Sequence, residues 1–142
     1  MSNFSAFMKK NKVAKHNTMY AATKSLRDEN DKPLEWELKP LTTKENDAIR
    51  DECTREVPVP GKKGQYRMKI DMSAYQAKLI CASIVFPDLN DKELQDSYGV
   101  MTPEDLLMEM IDDPAEYSDL SMKVQEISGF ETLQEEVDKA KN

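Results

Sequence analysis

Cysteine, histidine and glycine are scarce: two, one and four residues in a chain of 142. Cys53 and Cys81 are too few for a disulfide framework and read as two buried or half-buried thiols. His16 is the sole histidine and no short Cys/His spacing exists, so a tetrahedral metal shell cannot be closed and no metal ligand is assigned. Aromatics amount to 7%, which predicts a lean core. Long apolar runs are equally rare. Residues 73–86 form the only one, shorter than the roughly 20 residues a membrane span requires. The N-terminal stretch lacks the apolar run that export needs, and the expected location is a cytoplasm. A catalytic constellation is also missing. Carboxylates are abundant, but they fall on predicted solvated helix faces, and Lys62, Lys63 and Gly64 sit in no strand-loop-helix pattern of P-loop spacing. No catalytic or cofactor-binding residue is therefore assigned.

What is present is charge and helical periodicity. Charged residues make up 33% and hydrophobic residues 39%, a pattern that suits a mainly helical protein with a heavily solvated surface. Residues 73–86 predict a central helix, apolar nearly all round, with Ser73 as its N-cap and Pro87 as its stop. Tyr75, Leu79, Ala82 and Phe86 share one face of it. Residues 17–26 and 34–38 predict a β-hairpin across a polar turn, with Leu34, Trp36 and Leu38 on the buried side. Thr42 and Glu45 form a capping-box signature, and a helix follows to about Arg55. Residues 57–65 read as a loop, and residues 66–70 as a short strand beside the hairpin.

Beyond Pro87 the pattern is helical. Asn90 or Asp91 caps a short helix ending at Gly99; Thr102 and Pro103 open a second; Asp113 and Pro114 open a third that stops at Ser128 and Gly129. A last amphipathic piece covers residues 131–140. The expected fold is α+β and mainly α-helical: a small N-terminal β-hairpin or short antiparallel sheet packed on a bundle of about five helices. One domain is expected over residues 1–142, with 1–16 and 131–142 flexible.

Net charge is −7, unevenly placed. Lys9, Lys10, Lys12, Lys15, Lys24 and Arg27 precede any acidic residue, whereas residues 88–138 hold Lys92 and Lys123 against a long series of acids. This polarity suits head-to-tail self-association or recruitment of a basic partner. An alternative is a nucleic-acid-binding or regulatory module using the basic arm, although the acidic half would repel a duplex.

Four segments carry a family resemblance. They are residues 34–42 (Leu-Glu-Trp-Glu-Leu-Lys-Pro-Leu-Thr), 75–79 (Tyr-Gln-Ala-Lys-Leu), 86–100 (Phe-Pro-Asp-Leu-Asn-Asp-Lys-Glu-Leu-Gln-Asp-Ser-Tyr-Gly-Val) and 124–130 (Val-Gln-Glu-Ile-Ser-Gly-Phe). Together they resemble the XkdN-like tail assembly chaperones of PBSX-type prophages in Gram-positive bacteria, and the third is the most specific. The resemblance implies a non-enzymatic protein that binds the tape measure protein, keeps it soluble and helps recruit tail tube subunits. It also implies action in the host bacterial cytoplasm and absence from the mature virion. No individual binding residue carries over from it.

The residues themselves suggest where a client would sit. Phe4 and Phe7 are candidate docking anchors at the terminus. Leu106, Leu107, Met110, Leu120, Val124 and Ile127 are candidate contacts on the acidic helices, with Met101, Met108 and Met122 lending the surface adaptability. The competing assignment, favoured for any one of the six taken singly, is packing on the central helix.

Overall fold

The structure, a computed structural model, describes residues 3–130. The chain opens with a single turn, α1 (Asn3–Ala6), and a 3-10 turn at Lys9–Asn11. Strand β1 (Thr18–Tyr20) then pairs antiparallel with β2 (Trp36–Leu38), Thr18 opposite Leu38 and Tyr20 opposite Trp36. The intervening loop is pinched by an isolated bridge between Arg27 and Pro33. The hairpin is thus shorter than its sequence pattern predicts. Trp36 and Leu38 are buried, but Leu34 lies outside the strand and is 42% exposed.

Helix α2 (Thr43–Glu52) starts on the expected capping box: Thr42 Oγ1 accepts from the Glu45 amide and Glu45 Oε1 from the Thr42 amide. It ends earlier than predicted, with Cys53 as its C-cap. The β-branched residues Thr54 and Val57 go instead into β3 (Thr54–Pro58), which takes up the end of the predicted helix and, with Val57 and Pro58, the start of the stretch read as loop. Its partner β4 (Tyr66–Ile70) is a strand as expected, but it pairs with β3 in a separate two-stranded ribbon rather than with the hairpin. Pro58 is tolerated because it closes the end of a ribbon in which each strand is an edge.

Helix α3 (Met72–Ser83) is the central helix, shorter than the apolar run that encodes it. Asp71, not Ser73, caps it, its carboxylate accepting from the Ala74 amide. Ile84, Val85 and Phe86 leave the helix and form β5 (Ile84–Phe86), which joins the free edge of β2 with Leu38 opposite Ile84. Two β-branched residues and the extended backbone demanded of a residue before proline favour strand over helix here. Phe86 consequently turns outward, 62% exposed, instead of completing the buried face. The Phe86–Pro87 peptide is cis. The resulting three-stranded sheet has the order β1-β2-β5. A reciprocal pair of hydrogen bonds binds the end of α3 to the chain after β2: Lys39 N donates to Ser83 O and Ser83 Oγ donates to Lys39 O, both at 2.7 Å.

Three helices follow, at the expected positions: α4 (Lys92–Ser97) capped by Asp91, α5 (Pro103–Met110) capped by Thr102, and α6 (Pro114–Ile127) capped by Asp113. Gly99 and Gly129, at φ 70° and 83°, supply the left-handed residues after α4 and α6. Helices α2, α5 and α6 pack around α3. Trp36 and Leu38 from the sheet meet Leu79 and Ile80 of α3, Leu106, Leu107 and Met110 of α5, and Leu120 and Val124 of α6 in one apolar cluster. The fold is therefore α+β and mainly helical. The amphipathic piece read at residues 131–140 lies outside the described residues.

Candidate functional site

Burial divides the residues singled out in the sequence. Leu106, Leu107, Met110 and Leu120 lie in the core, so the folded chain does not present them to a client, and Ile127 is half-buried against the same cluster. The helical stripe that suggested a contact surface is the stripe that packs on α3. Phe4 on α1 and Phe7 in the turn just after it are different: 79% and 89% exposed. Met101, Met108 and Met122 also face outward.

Val124 is 2% exposed, yet it contributes to the floor of a groove of ≈ 370 Å³ between α3 and the C-terminal half of α6. Met72, Tyr75 and Gln76 form one wall, Ser121 and Gln125 the other, and Phe130 the end. None of the described lining residues is charged, in a chain one third of whose residues are. Within the groove, the amides of Gln76 and Gln125 both donate to Ser121 Oγ, at 3.0 and 3.2 Å. This leaves the amide carbonyls as acceptors beside an apolar floor. Tyr75 Oη donates to Asn46 Oδ1 of α2, and the Arg50 guanidinium lies 6.0 Å from the Tyr75 ring centroid, so the ring is held from behind. Such a surface favours an apolar helical stripe with uncharged flanks, because a charged side chain entering it would lose water without meeting a counter-charge.

This groove was not legible in the sequence. None of the candidate contacts read from the sequence falls on the central helix. In the structure it lines an uncharged recess against α6, where Tyr75 and Gln76 are only half-buried. The available signal was the set of uncharged polar residues Gln76, Ser121 and Gln125 on two helices, which is recognisable only once those helices are known to be neighbours.

Several titratable groups outside the groove serve the fold. Burial, reinforced by Glu104, pushes the Cys81 thiol up to about 12, and burial also raises Cys53. Neither favours the thiolate that nucleophilic chemistry requires. Lys78 reaches Glu104 at 3.2 Å and Glu52 at 3.8 Å, and its pKa is raised, chiefly by the hydrogen bond to Glu104. Glu116 on α6 accepts from Thr23 Oγ1 at 2.7 Å and from the Lys24 amide at 2.8 Å, tying the loop after β1 to the bundle. Among the described residues no group of three or more His, Cys, Asp or Glu side chains is placed to hold a metal. No helix among them is long and apolar enough to cross a membrane.

Architecture and surface thus define a small, mainly helical α+β protein with a neutral groove between two helices. The crystal structure of the protein YqbN has this fold: TM-score 0.76 at 21% identity, covering 92% of this chain and 99% of that one. Residues 4–141 match the family described as phage XkdN-like tail assembly chaperone proteins. The chain is 32% identical over 107 residues to the phage-like element PBSX protein XkdN of Bacillus subtilis (strain 168), covering 74% of this chain and 70% of that protein. It is 28% identical over 104 residues to the uncharacterized protein YqbN of the same organism, covering 72% and 68%. The chain belongs to the XkdN-like family of phage tail assembly chaperones.

Proposed function

We propose that this protein is a non-catalytic chaperone that binds the tape measure protein during phage or prophage tail assembly, keeps it soluble and promotes assembly of the tail tube around it. The observation that carries this reading is the uncharged groove between α3 and α6. A long helical client exposes apolar stripes before the tube covers them. A recess with an apolar floor and an amide-hydroxyl wall shields such a stripe while discriminating little between side chains. Phe4 and Phe7 provide a second apolar contact on a separate element. The setting is the host bacterial cytoplasm, and the protein leaves before the virion is complete.

Co-expression with the tape measure protein tests the proposal. The client is expected in the soluble fraction and in a co-purifying complex with the wild-type chain. Met72→Glu places a carboxylate at an exposed groove-wall position, 63% exposed, and is expected to abolish co-purification while leaving thermal stability within about 0.5 kcal/mol. A client equally soluble without this protein, with no complex recovered, would sink the proposal. Unchanged capture by Met72→Glu would move the contact away from the groove.

A further inference from the structure

We propose that a second recess, which shares Phe130 with the first, is a docking site for an acidic amphipathic helix of a partner protein. This cleft, ≈ 910 Å³, lies between the N-terminal arm and the turn leading from β2 into α2. Lys9, Lys12, Lys15, Lys39 and Lys44 line it, and no carboxylate does so among the described residues. Lys39 is held by Glu45 at 2.8 Å; the other four make no ion pair among the described residues. An added Cβ on Gly129 would lie 3.6 Å from Lys15 Nζ, so the exposed Lys15 side chain reaches the turn that ends α6.

The sign of this surface opposes that of the molecule. In a chain of net charge −7, a recess lined by Lys39, which is paired with Glu45, and by four further lysines that make no ion pair among the described residues carries a local positive potential. Ammonium groups so gathered repel one another, and an anionic occupant relieves that repulsion. Val13, Leu41 and Phe130 supply apolar surface within the same recess. Carboxylates for the rim and apolar side chains for the floor, on one face at i, i+3 and i+4 spacing, describe an acidic amphipathic helix.

A nucleic acid fits less well. Among the described residues no arginine lines the cleft to fork a phosphate, and Phe130 is the one aromatic available for stacking. The role is separate from the neutral groove, which has no lysine among its described lining residues.

The test uses the full chain and a fluorescein-labelled peptide of about 16 residues, roughly four helical turns, with Leu on one face and Glu beside it. A matched peptide carries Gln for Glu. Anisotropy is expected to show saturable binding of the Glu peptide. Binding should weaken at least about tenfold with the Gln peptide, and equally with a Lys12→Glu, Lys15→Glu, Lys44→Glu variant. Raising salt from about 50 to about 300 mM should weaken wild-type binding and leave the residual binding of the variant nearly unchanged. Lys62→Glu with Lys63→Glu, in the β3–β4 loop, should bind as wild type and so control for net charge. If the triple variant fails to fold by circular dichroism, Lys44→Gln at an exposed position reads the same cleft through a smaller loss. Equal affinity for the Gln peptide, or undiminished binding by the lysine variants, overturns the proposal. So does displacement of the Glu peptide by a single-stranded oligonucleotide at lower concentration, or a self-association in sedimentation velocity that the triple variant abolishes.

Discussion

Trp36, Cys81 and Tyr117 share an interior yet respond to it in different ways. Trp36 fills the space between sheet and helices, at 1% exposure. Trp36→Ala should cost about 3–5 kcal/mol, read as a lowered urea midpoint with an unchanged slope. Cys81 loses reactivity through the same burial: with its thiol pushed up to about 12, Ellman's reagent at pH 8 should label the native protein slowly and the denatured protein fast. Rapid native labelling of Cys81 would show that α3 opens readily. Tyr117 Oη is a buried side-chain oxygen with no hydrogen-bond partner among the described residues, and burial raises its pKa. Removing an unsatisfied hydroxyl recovers its desolvation cost. Tyr117→Phe should therefore be neutral or stabilising by up to about 1 kcal/mol in the same urea titration.

At the scale of elements, stability rests on how helices begin and how β5 joins the sheet. Asp113 accepts from two amides at the start of α6, Ala115 at 2.8 Å and Glu116 at 3.3 Å. Asp113→Ala should cost about 1 kcal/mol, and a loss too small to measure would show that packing alone holds α6. The capping box of α2 adds a pH dependence. The hydrogen bond from Lys39 holds the Glu45 carboxyl below its ordinary 4.5, with the Thr42 amide assisting against a smaller opposing effect of burial. A lowered folded value means that the unfolded chain binds more protons as acid is added. The contribution is thus complete above 4.5 and lost as the pH falls through the lower folded value. Glu45→Gln should flatten the acid limb of the stability profile, modestly because the pair is partly exposed. A profile that superposes on wild type would remove the linkage.

At the scale of the molecule, charge is segregated and the two recesses differ accordingly. The groove between α3 and α6 is neutral, and the cleft beside the N-terminal arm carries five lysines. Salt should separate them: client capture through the groove should survive high ionic strength, whereas peptide binding in the cleft should not. Pull-downs across a salt series read both at once, and parallel loss of the two would mean that a single charged surface serves both. Membership of the tail assembly chaperone family agrees with a chain organised around surfaces.

Local chemistry alone determined much of this protein. Thr42 with Glu45, Thr102 with Pro103, and Asp113 with Pro114 mark helix starts because a cap and its amide are neighbours in sequence. Gly99 and Gly129 mark the stops for the same reason. The family, too, was legible in four short segments. Tertiary structure decided what depends on partners remote in sequence. Ile84–Phe86 became strand because the edge of β2 lay open to it, and Thr54–Pro58 because residues 66–70 folded back on it. Leu106 and Leu120 became core rather than contact surface because α3 covers them. The neutral groove exists because α3 and α6 are neighbours that bring Tyr75, Gln76, Ser121 and Gln125 to one recess, a juxtaposition that the periodicity of neither helix encodes.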